Sequence, residues 1–370
     1  MKTVFIFLLL SLSLMADITD RVKELESTVN ELQNRLADIQ NDENDIEDDI
    51  SQKELSSIKF NGYINSHYTK YSGSENIDEK DGFRLHRFSF IPHQQVNERL
   101  RWLGEIEFED APFIQRHNLE SISKVHNTSG KLFVERIYIQ YDINSQVKFR
   151  IGRDFAHSTI YSDNHYPSFV LNQLRPLLER EIFPQITDGI ELLGSTYINN
   201  TTLDYILYYG NGNTHDAHED INKQDLYGVR VRFSLPFTKL TRLSFAYANG
   251  YTSDAKIPSN YKKDAFAIGL EEKVGNMALT AQYARGHITE VQSYTREGFY
   301  LRLAYTIGDF TPWVFYEEYD DSSIDDIDTI KQGSVGLAYS FTQKFKVKLE
   351  HYRTNDNKDL KTITSFALYF

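Results

Sequence analysis

An all-β transmembrane fold, one antiparallel up-and-down β-barrel of sixteen strands, is what this sequence of 370 residues predicts. Three observations point there. From residue 58 onward apolar and polar residues alternate with a period of two. The connections between the alternating segments run long, short, long, short. The chain closes on Phe366-Ala367-Leu368-Tyr369-Phe370, a terminal aromatic with apolar residues at every second position. A mean hydropathy of -0.49 is compatible with this fold, because only every second residue of a membrane barrel faces lipid.

The first residues stand apart. Lys2, an apolar run over 4–14 and small residues up to Ala16 read as a secretory signal peptide, residues 1–16, too short to span a bilayer. In residues 17–57, Ile18, Val22, Leu25, Val29, Leu32, Leu36, Ile39, Ile46 and Ile50 fall at steps of four and three, with Glu43 at the missing step. That heptad seam predicts an α-helical coiled coil that oligomerises. Valine at a with leucine at d favours a dimer. Arg21-Val22-Lys23-Glu24-Leu25-Glu26 resembles instead a short trimerisation motif, its g-position arginine pairing with a neighbour's e-position glutamate. A homotrimer is the expectation. Residues 17–57 carry -9 of the net charge of -13, and the acidic run 42–49 reads as solvated surface. The remainder is close to balanced, so no nucleic-acid partner is expected. With no cysteine at all, a disulfide scaffold, Cys-ligated zinc and thiol catalysis are excluded.

The barrel occupies residues 58–370. Leu100, Trp102, Gly104, Ile106 and Phe108 alternate with Arg99, Arg101, Leu103, Glu105, Glu107 and Glu109, Tyr227, Val229, Val231 and Phe233 with Gly228, Arg230 and Arg232, and Phe345, Val347 and Leu349 with Lys346, Lys348 and Glu350. Long connections fall near 72–82, 110–130, 154–186, 210–224, 249–262, 286–296, 319–331 and 353–361. Short ones fall near 93–98, 142–146, 195–202, 236–239, 272–276, 306–309 and 340–344. Long extracellular loops and short periplasmic turns are the pattern of outer-membrane barrels, and an even strand count puts both chain ends, the coiled coil included, in the periplasm. A lysine or arginine facing mid-bilayer lipid costs about 2–4 kcal/mol, so the basic rows turn inward. Sixteen strands leave an aqueous channel.

The segment 154–186 is the longest without strand periodicity, and loops of that length are usually functional. It reads as a constriction loop folded into the lumen, with Lys148, Arg150, Arg153, Arg175 and Arg180 near the narrowest point. Further pore-lining candidates are Arg230, Arg232, Arg302, Lys346 and Lys348 on the basic side and Glu105, Glu107 and Glu191 on the acidic side. Rings of basic side chains favour anions, so the tilt of this set predicts a weak anion preference. Inward Tyr300 and Trp313 leave a sugar-conducting pore open as an alternative.

Arg150-Ile151-Gly152-Arg153 at a strand end, His165-Tyr166-Pro167 and Arg175-Pro176-Leu177 in the loop after it, Asp188-Gly189-Ile190-Glu191 and Tyr209-Gly210-Asn211-Gly212 jointly resemble Gram-negative trimeric outer-membrane porins, most closely the phosphate-selective porin group. The resemblance covers residues 58–370. It implies passive diffusion of small hydrophilic solutes, phosphate among them, through an outer-membrane trimer whose third extracellular loop is the constriction.

Other readings are weaker. His215, Asp216, His218, Glu219 and Asp220 have ligand-like density for a transition metal, but sit in an Asn- and Gly-rich stretch that reads as a surface loop. His157-Ser158 near Asp154 is local adjacency, and nucleophilic catalysis needs a three-dimensional constellation. No cofactor or metal is expected and the chain is not expected to be an enzyme. A barrel hydrolase, or a structural tether contacting the cell wall through the coiled coil, are the alternatives from other classes.

Overall fold

The computed structural model describes residues 57–72, 81–110, 131–163, 165–213, 225–236, 240–254, 257–289, 293–322, 329–355 and 360–370. The signal peptide, the coiled coil (but for Ser57) and the run from His215 to Asp220 lie outside them.

Sixteen strands form one closed barrel: β1 (Lys59–Tyr71), β2 (Gly82–Gln95), β3 (Leu100–Glu109), β4 (Lys131–Asp142), β5 (Val147–Phe155), β6 (Ile186–Ile198), β7 (Thr201–Asn213), β8 (Asp225–Leu235), β9 (Leu240–Asp254), β10 (Ile257–Val274), β11 (Met277–Thr289), β12 (Ser293–Tyr305), β13 (Phe310–Asp321), β14 (Ile330–Ser340), β15 (Phe345–Thr354) and β16 (Leu360–Tyr369). Each strand pairs with its sequence neighbours, and β1 closes on β16 from Tyr63↔Tyr369 to Tyr71↔Lys361. Every pairing is antiparallel, and the closure of β1 on β16 leaves no sheet edge to attract a foreign strand. The expected connection at 249–262 is almost all strand: β9 and β10 run on to Asp254 and Ile257. Polar composition there conceals strand from a reading based on apolar alternation.

The faces separate as the alternation requires. In β10, Ala265 and Ala267 are buried inside while Phe266 and Ile268 are 40% and 46% exposed outside. The same outward apolar row continues through Tyr283, Phe299, Leu301 and Val314.

Two β-bulges interrupt the period on one side of the barrel. Asn65 pairs with Arg87 but Ser66 with Leu85, leaving His86 unmatched. Glu105 pairs with Arg136 but Ile106 with Val134, leaving Glu135 unmatched. Each bulge re-aims an additional side chain, so His86 with Arg87, and Glu135 with Arg136, turn toward the lumen as adjacent pairs.

The connection between β5 and β6, residues 156–185, lies inside the barrel and carries two short helices, α1 (Ile160–Asp163) and α2 (Leu177–Glu181). The buried apolar core is here: Ala156, Leu178, Ile182 and Phe183 of the loop pack against Ala246, Ala267, Ala284, Tyr300 and Phe315 of the inner wall.

Candidate functional site

Small wall residues make the seat for the loop. A Cβ on Gly269 would come within 2.6 Å of Ile160 Cδ1 and 2.5 Å of Ser244 Oγ, so only glycine leaves room for α1. Ile182 is fully buried beside Gly286. Tyr300 and Trp313 do turn inward, but they are 4% and 3% exposed. They join the buried wall beneath the loop, the Trp313 ring lying over Gly336.

Polar wall groups then fix the loop's backbone. Lys348 Nζ donates to the carbonyls of Pro167 (3.1 Å) and Val170 (3.4 Å). Arg230 Nη1 donates to Thr159 O at 3.4 Å, and Lys263 Nζ to Glu181 O at 3.1 Å. Glu317 Oε1 accepts the Leu178 amide at 3.0 Å, and Glu350 Oε2 the Gln173 amide at 2.9 Å. Buried amides and carbonyls need such partners, which this irregular backbone finds partly within the loop, as in Val170 N–H to Tyr166 O at 3.1 Å, and partly in the wall. Glu179 of α2 is buried next to the Tyr300 hydroxyl. Burial pushes its carboxyl up to about 8, against the opposing pull of a Thr159 hydrogen bond and of Arg175.

The residues picked from sequence therefore divide. Arg175 and Arg180 face a cavity of about 350 Å³ between the loop and the β1–β2 wall, which Arg84, His86 and Arg87 also line. Among the described residues none of its lining side chains is acidic. Arg175 donates to Gln185 Oε1 at 2.8 Å and lies over the Tyr161 ring. Lys148, Arg232, Arg302 and Lys346 are on inward positions and partly exposed. Arg232 pairs with Asp204 at 2.9 Å, and Arg302 contacts Asn172 and Thr280. Lys348 and Arg230 are buried loop anchors. Arg150 is enclosed too, bonded to Asp154, to Glu191 (3.0 Å) and to Gln140 (3.0 Å), its guanidinium over Tyr138. Glu105 and Glu107 are fully buried, Glu105 held by Arg136 and Ser89 and Glu107 by Tyr63.

Arg153 departs from the expectation. It stands opposite Ile137 and Asp188, on the face of exposed Ile151 and Ile190. There it forms a bidentate pair with Asp188 on the outside of the barrel, at 2.6 and 2.7 Å. The alternation Phe149, Ile151, Arg153 already assigns it outward; its place beside a polar loop masked that.

Missed altogether were Arg87, Glu135 and Arg136. The available signal was a phase slip: apolar Phe83 and Leu85 give way to Phe88 and Phe90, and Val134 to Ile137 and Ile139, each pair crossing from one parity to the other.

No family model matches the chain, and no curated relative matches it. Solved structures share the fold. The loop L8 deletion mutant of OmpT, an outer membrane protein of Vibrio cholerae, is 14% identical with a TM-score of 0.60, covering 85% of this chain and 100% of that one. OmpF of Salmonella typhi in complex with daunomycin is 14% identical with a TM-score of 0.60, covering 86% and 99%. An anion-selective porin from Comamonas acidovorans is 12% identical with a TM-score of 0.60, covering 85% and 100%. The chain thus has the sixteen-stranded barrel fold of porins; at such identities the likeness extends to architecture alone.

Proposed function

We propose that this protein is a passive, non-catalytic diffusion channel of the bacterial outer membrane, passing small hydrophilic solutes with a preference for anions, inorganic phosphate among them. The observation that carries the reading is the cavity between the inward-folded loop and the wall. Four arginines line it and no described carboxylate does; Arg84, Arg87 and Arg180 are paired from behind by Asp110, Glu107 with Glu109, and Glu181, while Arg175 has no carboxylate within salt-bridge distance among the described residues. Guanidinium groups match oxyanions by bidentate hydrogen bonding. The apolar outer face and the closed barrel support residence in lipid. The heptads of residues 17–57 and the fold's likeness to a trimer form of OmpT from Vibrio cholerae support assembly as a homotrimer with its helix in the periplasm.

Reversal potentials across a planar bilayer in a KCl gradient test this. Wild-type channels are expected to favour chloride, and Arg175→Glu to lower the anion-to-cation permeability ratio several-fold. Cation preference in the wild type would overturn the proposal.

A further inference from the structure

Beneath the loop, at the edge of the arginine-lined cavity, three side chains from three elements converge. Glu105 comes from β3, Glu135 from the bulge of β4, and His165 from the constriction loop. One ligand atom of each lies within 4.8 Å of the other two. All three are buried, at 0%, 2% and 4% exposure.

We propose that this is a binding site for a divalent first-row transition metal ion, Zn2+ fitting best, which ties the constriction loop to the barrel wall. The first ground is that His165 and Glu135 meet only as a loose ion pair and make no hydrogen bond with each other. Neither ring nitrogen of His165 has a hydrogen-bond partner, and neither has Glu135 Oε2. Buried polar atoms left so are rare and call for a reason. The second ground is spacing. His165 Nε2 and Glu135 Oε2 stand 3.7 Å apart, too far for a hydrogen bond. Two ligands at about 2.0–2.2 Å from one tetrahedral zinc lie roughly 3.3–3.6 Å from each other, a small closing movement away. The third ground is the outer layer. Glu105 is aimed by Ser89 Oγ on Oε1 (2.8 Å) and Arg136 Nε on Oε2 (2.8 Å), and the His165 ring is held edge-on to Phe155 at 4.3 Å. Such supporting contacts orient metal ligands.

Glu105 Oε2 is taken up by Arg136 and the Tyr166 hydroxyl (3.3 Å), while Oε1 accepts from Ser89 alone and keeps a lone pair for an ion. Two carboxylates and one imidazole leave a coordination position for water. Imidazole with carboxylate suits zinc rather than calcium or magnesium, which take oxygen ligands. His165 also lines the arginine cavity, which supplies a route from the lumen. Nothing here depends on which solute the channel carries.

The test uses the full folded chain in detergent, stripped with a chelator and titrated with Zn2+ alone, with Co2+ absorption as the spectroscopic readout. It is done in a His215→Ala/His218→Ala background, because that His-rich run could bind metal by itself. The expected result is about one Zn2+ per chain, weakened at least ~10-fold by His165→Ala and by Glu135→Gln. No binding at micromolar Zn2+ would overturn the proposal. Binding as tight in both variants as in the parent would overturn it too. Should His165→Ala fail to fold, Glu135→Gln decides alone.

Discussion

Glu179 shows how one residue couples the loop to pH. Its carboxyl is pushed up to about 8 from an ordinary 4.5 because docking of α2 removes it from water. Between those values the docked loop holds a proton that the undocked loop would release. The group's contribution to docking is therefore complete below about pH 4.5 and lost as pH rises through about 8. Channel current is expected to grow noisier from pH 6 to 9, and Glu179→Gln to flatten that dependence. A wild-type trace with unchanged noise across the range would contradict the assignment. Side-chain roles were the least legible level of this sequence. Parity correctly turned Lys348, Arg230 and Arg150 inward. It could not tell that a loop far away in the chain would cover Lys348 and Arg230 and use them as donors. The difference between an ion-facing cation and a buried anchor lies in tertiary contacts, where Pro167 O and Thr159 O happen to be.

At the scale of elements, the loop of residues 156–185 is held by a surface the alternation pattern conceals. Alanines of β9 to β12 read as weak strand formers, yet they and Gly269 are what leave room for Ile160, Leu178 and Ile182. Truncating Ile182, which is fully buried, should cost about 2–5 kcal/mol of docking. Gly269→Val, which pushes against Ile160, should cost about 1–3 kcal/mol. Hydrogen exchange checks both: protection of amides 177–182 should fall while the strand amides of β9 to β12 keep theirs. Unchanged protection in both variants would mean that the loop is not seated by these contacts. The loop's existence and limits were legible, 154–186 expected against 156–185 found between β5 and β6, because loss of period two is a strong signal over thirty residues. The bulges are far less legible. A one-residue phase slip looks like noise in a single strand, yet it brings Arg87 and Glu135 into the lumen.

For the whole molecule, strand count, order and closure all follow from two features visible in the sequence, apolar period two and the long–short rhythm of connections. Both reflect one physical constraint: every backbone group of a lipid-embedded sheet must be paired, which a closed barrel alone achieves. Register was not legible to better than a few residues, since polar strand ends such as those of β9 and β10 look like loop. The central claim is that residues 156–185 sit in the bore and set what passes. Single-channel conductance of the full chain against a variant with residues 161–181 replaced by a short Gly-Ser linker tests it most directly. The expected outcome is a conductance step several-fold larger in the variant, with its chloride preference reduced. Equal steps and equal selectivity in the two proteins would contradict it.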